Sequence, residues 1–293
     1  MIQKSVINLI EQQKWLDKTA KIVQPAVLNA YEAAGEAGRR LKNFFHGTWL
    51  GHPLHPAMTD IPIGAWTAAA ALDACELAGS EKYKNGADAA VAIGLVGAVG
   101  AAITGLTDWT GTSEKKQKIG LMHGILNLTA TTLYTSSLIL RRNKKSRGTA
   151  IALSMAGYGL TTLAAYLGGH LVFGEQVGVD HTATSAEYPE QFIAVFSAND
   201  LPENSMKRVN ANEIPVLIAR KNGKLYAIAN TCSHLGGPLD EGELLENNTV
   251  KCPWHGSVFS LEDGRVIDGP ASEPQPQFEV RAKNGEIEVR RKK

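Results

Sequence analysis

Apolar residues are spread unevenly along the chain: they gather in long runs before position 175 and alternate with polar residues after about position 190. The runs are Ile61–Ala78, Ala87–Thr107, Ile119–Leu140 and Thr149–Phe173. Each is close to the roughly 20 residues that a helix needs to cross a ~30 Å hydrocarbon layer. Their interiors are rich in Ala, Gly, Ser and Thr, as in Gly94-Leu95-Val96-Gly97-Ala98-Val99-Gly100, the texture that lets membrane helices pack closely. A soluble bundle carries a charged stripe on every helix, but none occurs between Lys118 and Arg141 or between Arg147 and Glu175. The expectation is an all-α bundle of four transmembrane helices over residues 49–173. Asp73, Glu76 and Asp88 are costly exceptions, near segment ends where water or headgroups can reach them.

Residues 1–48 read as an amphipathic helical region. Val6, Leu9, Ile10, Gln13, Leu16, Ala20 and Val23 fall near one face, with Lys4, Glu11, Lys14, Lys18 and Lys21 mostly elsewhere. Pro25 can open a second helix whose face carries Val27, Ala30, Tyr31, Ala34, Gly38, Leu41 and Phe45. Helices packed on the rest of the protein and a membrane-surface anchor both satisfy this pattern. Arg39-Arg40 before an apolar span suggests a twin-arginine export signal, which Leu41-Lys42-Asn43 fits poorly.

Residues 174–190, GEQVGVDHTATSAEYPE, read as a polar linker in which His181 is solvated. From Gln191 the period changes to alternation. Phe192–Phe196, Val216–Ala219, Leu225–Ile228, Val258–Ser260, Phe278–Arg281 and Glu286–Val289 are expected strands, and Asn222-Gly223, Asn284-Gly285 and Asp263-Gly264 are tight-turn signals. Residues 191–293 are therefore expected to form a small antiparallel all-β domain. With 30 basic and 29 acidic side chains, no concentrated basic face forms apart from one short loop, which argues against nucleic acid as a partner. Three cysteines, two of them in the motif below, leave no disulfide framework.

The chemistry sits in two short stretches of the β domain. One is Cys232-Ser233-His234-Leu235-Gly236-Gly237; the other is Cys252-Pro253-Trp254-His255-Gly256-Ser257. Each loop offers one thiolate and one imidazole beside turn-forming residues, so together they supply four ligands to a metal centre. Zinc ribbons and fingers pair like ligands at short spacing, whereas here each loop mixes them, which suits a cluster of two unlike irons; zinc is the alternative. The stretch resembles the Rieske [2Fe–2S] family. The resemblance implies that Cys232 and Cys252 bind one iron and His234 and His255 the other, that both loops lie at one tip of the β domain, and that Gly269-Pro270-Ala271 is a covering loop. High-potential members join their loops by a disulfide, at places taken here by Gly237 and Trp254; the remaining cysteine, Cys75, lies far upstream. Ser257 matches a serine that lies beside the cluster in those members, but Phe259 stands where they place a tyrosine hydroxyl. Losing a hydrogen bond to sulfur lowers the potential, so the midpoint is expected in the lower part of the Rieske range of about −150 to +300 mV.

Four crossings return the chain to its starting side. They would gather His52, His55, His123 and His170, with Asp60, Asp108 and Trp109, at the face where the β domain also lies. Two readings stand: a haem b or other metal site held by these imidazoles, or local capping and hydrogen bonding. The stretch 51–64, GHPLHPAMTDIPIG, resembles the opening of a bacterial four-helix membrane domain of unknown function, a resemblance covering about 51–173. Positive charge at Arg141, Arg142, Lys144, Lys145 and Arg147, together with Lys82 and Lys84, is nearly matched by that at Arg39, Arg40, Lys42, Lys115, Lys116 and Lys118. Charge therefore determines orientation only weakly, and the slight lean to a cytoplasmic β domain rests on the general installation of iron–sulfur clusters in the cytoplasm.

The expected protein is integral to a bacterial inner membrane, multi-pass, and carries electrons one at a time. Its partners are the lipid bilayer and a redox protein or quinone. Rieske oxygenases follow the cluster domain with a large iron-containing catalytic domain, and this sequence stops at Lys293, about four residues after the last strand. An electron-transfer component is therefore expected rather than a complete oxidoreductase, and no residue is singled out as catalytic. The alternative is a redox-sensing or anchoring subunit of a larger membrane complex.

Overall fold

A computed structural model of the chain describes residues 2–183 and 187–292, with side chains from residue 6 onward. Residues 184–186 of the expected linker, the Lys4 side chain and Lys293 lie outside the described residues. The chain divides into two compact units, one of Met1–Gly38 and Leu54–Val177, the other of Arg39–Pro53 and Gly178–Lys293.

The first unit is helical. Helices α1 (Ile2–Glu11) and α2 (Lys14–Ala33) precede α3 (Gly35–His46), which from Arg39 on belongs to the second unit, and four long helices follow: α4 (His55–Leu77), α5 (Lys84–Trp109), α6 (Glu114–Leu140) and α7 (Arg147–Gly169). Ile7 and Ile10 of α1 and Leu16 of α2 are buried with Ile119 of α6 and Leu167 of α7. Leu9, placed on the buried face by its spacing, is instead 60% exposed. Pro25 does not open a helix: α2 runs through it. Its ring is exposed, so the backbone carbonyl that loses a partner can be met by solvent. The break falls at Gly35, whose φ of +56° suits glycine.

The long helices pack as two hairpins, α4 on α5 and α6 on α7, and the hairpins repeat one plan. His55 of α4 lies against Gly105 of α5 and Trp66 against Gly94; His123 of α6 lies against Gly168 of α7 and Tyr134 against Gly157. The Trp66 and Tyr134 rings stack on each other with centroids 4.0 Å apart. Asp73 and Arg141, the next matching positions, form an ion pair. The same interval of sequence separates the two members of each pair. A Cβ at Gly94 would fall 2.1 Å from Trp66 Nε1, and one at Gly97 2.5 Å from Ile61, so these glycines admit α4 side chains no larger residue would.

Helix α5 keeps its small residues inside and its large ones outside. Gly94, Gly97, Ala101 and Thr104 are buried. Ile93, Val96, Val99, Ile103 and Leu106 are exposed. That inversion is costly in water and free in hydrocarbon. Glu81–Trp109 and Lys144–Gly174 are long and apolar enough to cross a membrane. Helices α4 and α6 are of similar length, 23 and 27 residues. The carboxylates of α4 and the Asn, Thr and Ser content of α6 keep their mean hydropathy lower.

The acidic residues of α4 and α5 are not left to water at a segment end, as their position suggested. Asp73 is fully buried and takes a fork of two bonds from Arg141, one at 2.8 Å, while Arg141 also reaches Asp88 at 3.0 Å. Arg147 holds Glu76 at 2.5 and 2.7 Å and Asp88 at 3.0 and 3.1 Å. Two of the arginines counted toward membrane orientation are thus spent on internal carboxylates.

The second unit is an antiparallel β domain of three sheets, ordered β1-β10-β9, β2-β3-β4 and β5-β6-β7-β8. The strands are β1 (Ile193–Ser197), β2 (Ser205–Ala211), β3 (Ile214–Lys221), β4 (Lys224–Ala229), β5 (Glu243–Leu245), β6 (Thr249–Lys251), β7 (Val258–Ser260), β8 (Val266–Asp268), β9 (Phe278–Lys283) and β10 (Glu286–Arg291). Asn222-Gly223 and Asn284-Gly285 turn β3 into β4 and β9 into β10, all four residues at positive φ. One core lies among the first two sheets around Val216, Ile218, Phe278 and Ile287. A second joins β3 and β4 to the small sheet and contains Cys232 and Cys252.

The Asp73–Arg141 pair is the most exacting contact of the helical unit. Replacing Arg141 with Met strands a buried carboxylate, at an expected loss of about 3–5 kcal/mol. Thermal unfolding in detergent measures it, and adding Asp73→Leu is expected to recover most of the loss.

Candidate metal centre

Cys232 follows β4 and Cys252 follows β6, and the two turns are bonded alike. In the first, Cys232 N donates to Gly237 O at 2.8 Å and Gly236 N to Cys232 O at 2.9 Å. In the second, Cys252 N donates to Ser257 O at 2.8 Å and Gly256 N to Cys252 O at 3.2 Å. Gly236 and Gly256 close these turns at φ of +79° and +77°, a backbone state that favours glycine. The sequence pattern of one Cys, one His and one Gly per loop is thus the pattern of one turn used twice.

The turns bring all four expected donors to one end of the domain. The His234 and His255 rings lie 5.2 Å apart at near-right angles and are half-buried. The two thiols are buried and hydrogen-bonded to each other. That bond holds the Cys252 thiol down at about 7, assisted by the N–H groups of Trp254 and His255 against the opposing effect of burial. The same bond, followed by burial, pushes Cys232 well above the ordinary thiol range, although the N–H groups of His234 and Leu235 face its sulfur. Among the described residues no three His, Cys, Asp or Glu side chains converge as a single ion would require. The donors stand instead as a thiol pair and an imidazole pair. Thiolate donors paired on one side and nitrogen donors on the other fit a two-iron centre better than one zinc.

Around the turns, Ser257 is fully buried and its Oγ accepts from Ala271 N at 3.0 Å. Phe259 is fully buried in the core that also holds the cysteines. Gly237 touches the second turn: a Cβ there would meet Cys252 Sγ at 2.9 Å and the Trp254 ring at 3.1 Å. Trp254 itself is 56% exposed, its ring at near-right angles to His255.

Two contributors were not legible from the motif. His181, expected to be solvated in a linker, is half-buried, and its N–H donates to Ser233 O at 3.0 Å. Asn43, far upstream, bonds to Ile267 of β8 and to Gly269 just after that strand. The signal available for either was weak, since neither belongs to a local pattern.

Of the four histidines expected around the membrane segments, two have neighbouring rings. His55 and His123 form a pair, ring centroids 6.4 Å apart and nearly perpendicular. His55 Nδ1–H donates to Ala101 O at 2.9 Å, and His123 Nδ1–H to Ala164 O at 2.8 Å. Asn127 Nδ2 donates to His123 Nε2 at 3.1 Å. His170 lies 3.3 Å from Glu175, and His52 belongs to the β unit with its ring on Pro53 O.

Residues 191–279 match the Rieske [2Fe-2S] domain family, and residues 51–181 match the family described as Predicted membrane protein (DUF2231). The chain is 32% identical over 99 residues to Ferredoxin CarAc of Metapseudomonas resinovorans, covering 33% of this chain and 92% of the relative. It is 33% identical over 100 residues to Apoptosis-inducing factor 3 of Homo sapiens, covering 34% of this chain but only 16% of that longer protein. Among solved structures, a chain of the complex of reduced oxygenase and oxidized ferredoxin in carbazole 1,9a-dioxygenase is 31% identical, with a TM-score of 0.33 over 35% of this chain and 96% of its own.

The close approach at Gly237 gives a direct test of the paired turns. Gly237→Ala places a methyl group against Cys252 Sγ and is expected to weaken iron retention about 10–100-fold, as disturbed outer contacts of metal sites do. Iron released to a chelator over time is the readout.

Proposed function

Because the chain belongs to the Rieske [2Fe–2S] family across residues 191–279, we propose that it is a membrane-anchored one-electron carrier in which Cys232 and Cys252 hold one iron and His234 and His255 the other. The observation that carries this reading is the pair of identically bonded turns, with both thiols buried in contact and both imidazoles on the outer side. When bound, such a cluster accepts and gives up single electrons. The residues of the chain do the rest. Backbone N–H groups of His234, Leu235, Trp254 and His255 stabilise negative charge on the sulfurs. The half-buried imidazoles offer a short route to a docked partner and couple electron uptake to proton uptake.

The anchor is the helical unit, read as four spans. The large-outside, small-inside arrangement of α5 and the internal pairing of Asp73, Glu76 and Asp88 with arginines support that reading. The redox partner is a protein, or a quinone or haem b at the membrane. For the membrane option the receiving residues are His55 and His123. Their Nδ1–H bonds to carbonyls are the kind that orient a ligating imidazole and leave Nε2 as the donor nitrogen. Asn127 would have to release His123 Nε2.

Detergent-purified protein is expected to show the EPR signal of a reduced Rieske centre and a midpoint in the lower part of the range of about −150 to +300 mV. Cys252→Ser should abolish the signal; an iron-free protein binding one zinc would overturn the assignment. An optical band of haem lost in His123→Ala would establish the haem option, and its absence in the unsubstituted protein would remove it.

A further inference from the structure

The segment Arg39–Pro53 precedes the first long helix in sequence, yet it folds as part of the β unit. It lies outside the residues matched to the Rieske family, which begin at 191. The C-terminal half of α3 turns one face, Lys42, Asn43 and His46, to residues 267–271, the end of β8 and the loop that continues from it. Asn43 grips that loop in both senses: its Oδ1 accepts from Gly269 N at 2.9 Å and its Nδ2 donates to Ile267 O at 3.3 Å. Arg39 also donates to Ile267 O at 3.3 Å, and Lys42 sits 3.3 Å from the Asp268 carboxylate. His46, 2% exposed, lies so close to Gly269 that a Cβ there would be 2.8 Å from its ring. Two residues on from this grip, Ala271 N donates to Ser257 Oγ, and Ser257 O in turn closes the Cys252 turn.

The geometry points to Asn43 as a positioning residue for the cluster: it clamps the loop of residues 267–271 down on the Ser257–Cys252 side of the site and keeps water off that side. This rests on the reading of the Cys and His pairs as cluster ligands. A side-chain amide that satisfies one N–H and one C=O of the same loop does the work of a missing neighbouring strand. Water exclusion matters because reduction adds one negative charge, which a drier site holds less well. The clamp therefore keeps the midpoint low, in addition to the absence of a tyrosine hydroxyl at Phe259.

The test uses the full chain and two variants that attack the contact from opposite sides. Asn43→Ala removes both hydrogen bonds; Gly269→Ala drives a methyl group against His46 without touching Asn43. Each is expected to speed amide exchange at positions 269 and 271 about tenfold or more, relative to the intrinsic rate of the residue present. Each is also expected to raise the midpoint, so that the reduced-to-oxidised ratio at fixed potential rises about tenfold, or about 59 mV for a one-electron couple. Asn43→Asp, which keeps the acceptor for Gly269 N–H, should fall between Asn43→Ala and the unsubstituted chain in amide exchange at Gly269. Unchanged exchange, or faster exchange with a midpoint that stays put or falls, overturns the proposal. The EPR spectrum of the unsubstituted chain tests the cluster reading separately, and exchange at Gly269 tests the clamp whether or not iron is bound.

Discussion

Two left-handed glycines, Gly236 and Gly256, decide how the β unit works. Each lets a short loop fold back so that its N–H reaches the carbonyl of the cysteine four residues earlier. The loop's first residue then points inward and the histidine outward. A residue with a Cβ would resist that backbone state. Because the two loops are bonded alike and face each other, sulfur meets sulfur in the core and imidazole meets imidazole at the rim. The contrast between dry thiols and half-exposed rings is what suits the site to storing charge inside and exchanging it at the surface.

The cysteines are also part of the folding core, packed with Leu239, Val250, Phe259 and Leu261. Site and stability are therefore not separable at this end of the domain. Phe259 fills space with carbon where a hydroxyl would otherwise reach toward sulfur, and Gly237 leaves room for Cys252 where a larger residue would collide.

The helical unit follows a different rule. Its two hairpins present matching residues to each other at three levels: His55 with His123, Trp66 with Tyr134, and Asp73 with Arg141. The Asp73 carboxylate and the His55 and His123 rings, which would be costly facing hydrocarbon, are turned toward the opposite hairpin and find hydrogen-bond partners there or on a backbone carbonyl. Glycines on α5 and α7 make this possible by letting bulky side chains of α4 and α6 lie against bare backbone. Large aliphatic residues are left for the outside, the arrangement an apolar surrounding permits.

Local pattern carried much of this. The Cys-x-His and Cys-x2-His loops could be recognised as two like turns because a turn is a short-range structure, and Asn222-Gly223 and Asn284-Gly285 marked hairpins for the same reason. The apolar runs located the long helices, since period and length are local too. Strands β2, β5, β6 and β8 were missed because they are short or edge-like and owe their conformation to the strands they pair with. Which histidines meet, which arginine neutralises Asp73, and that residues 39–53 belong with a domain that begins far downstream were settled only by the tertiary structure. Each depends on contacts between segments well separated along the chain, where hydrogen-bond and charge partners are chosen by packing and leave no periodic trace in either partner's own sequence.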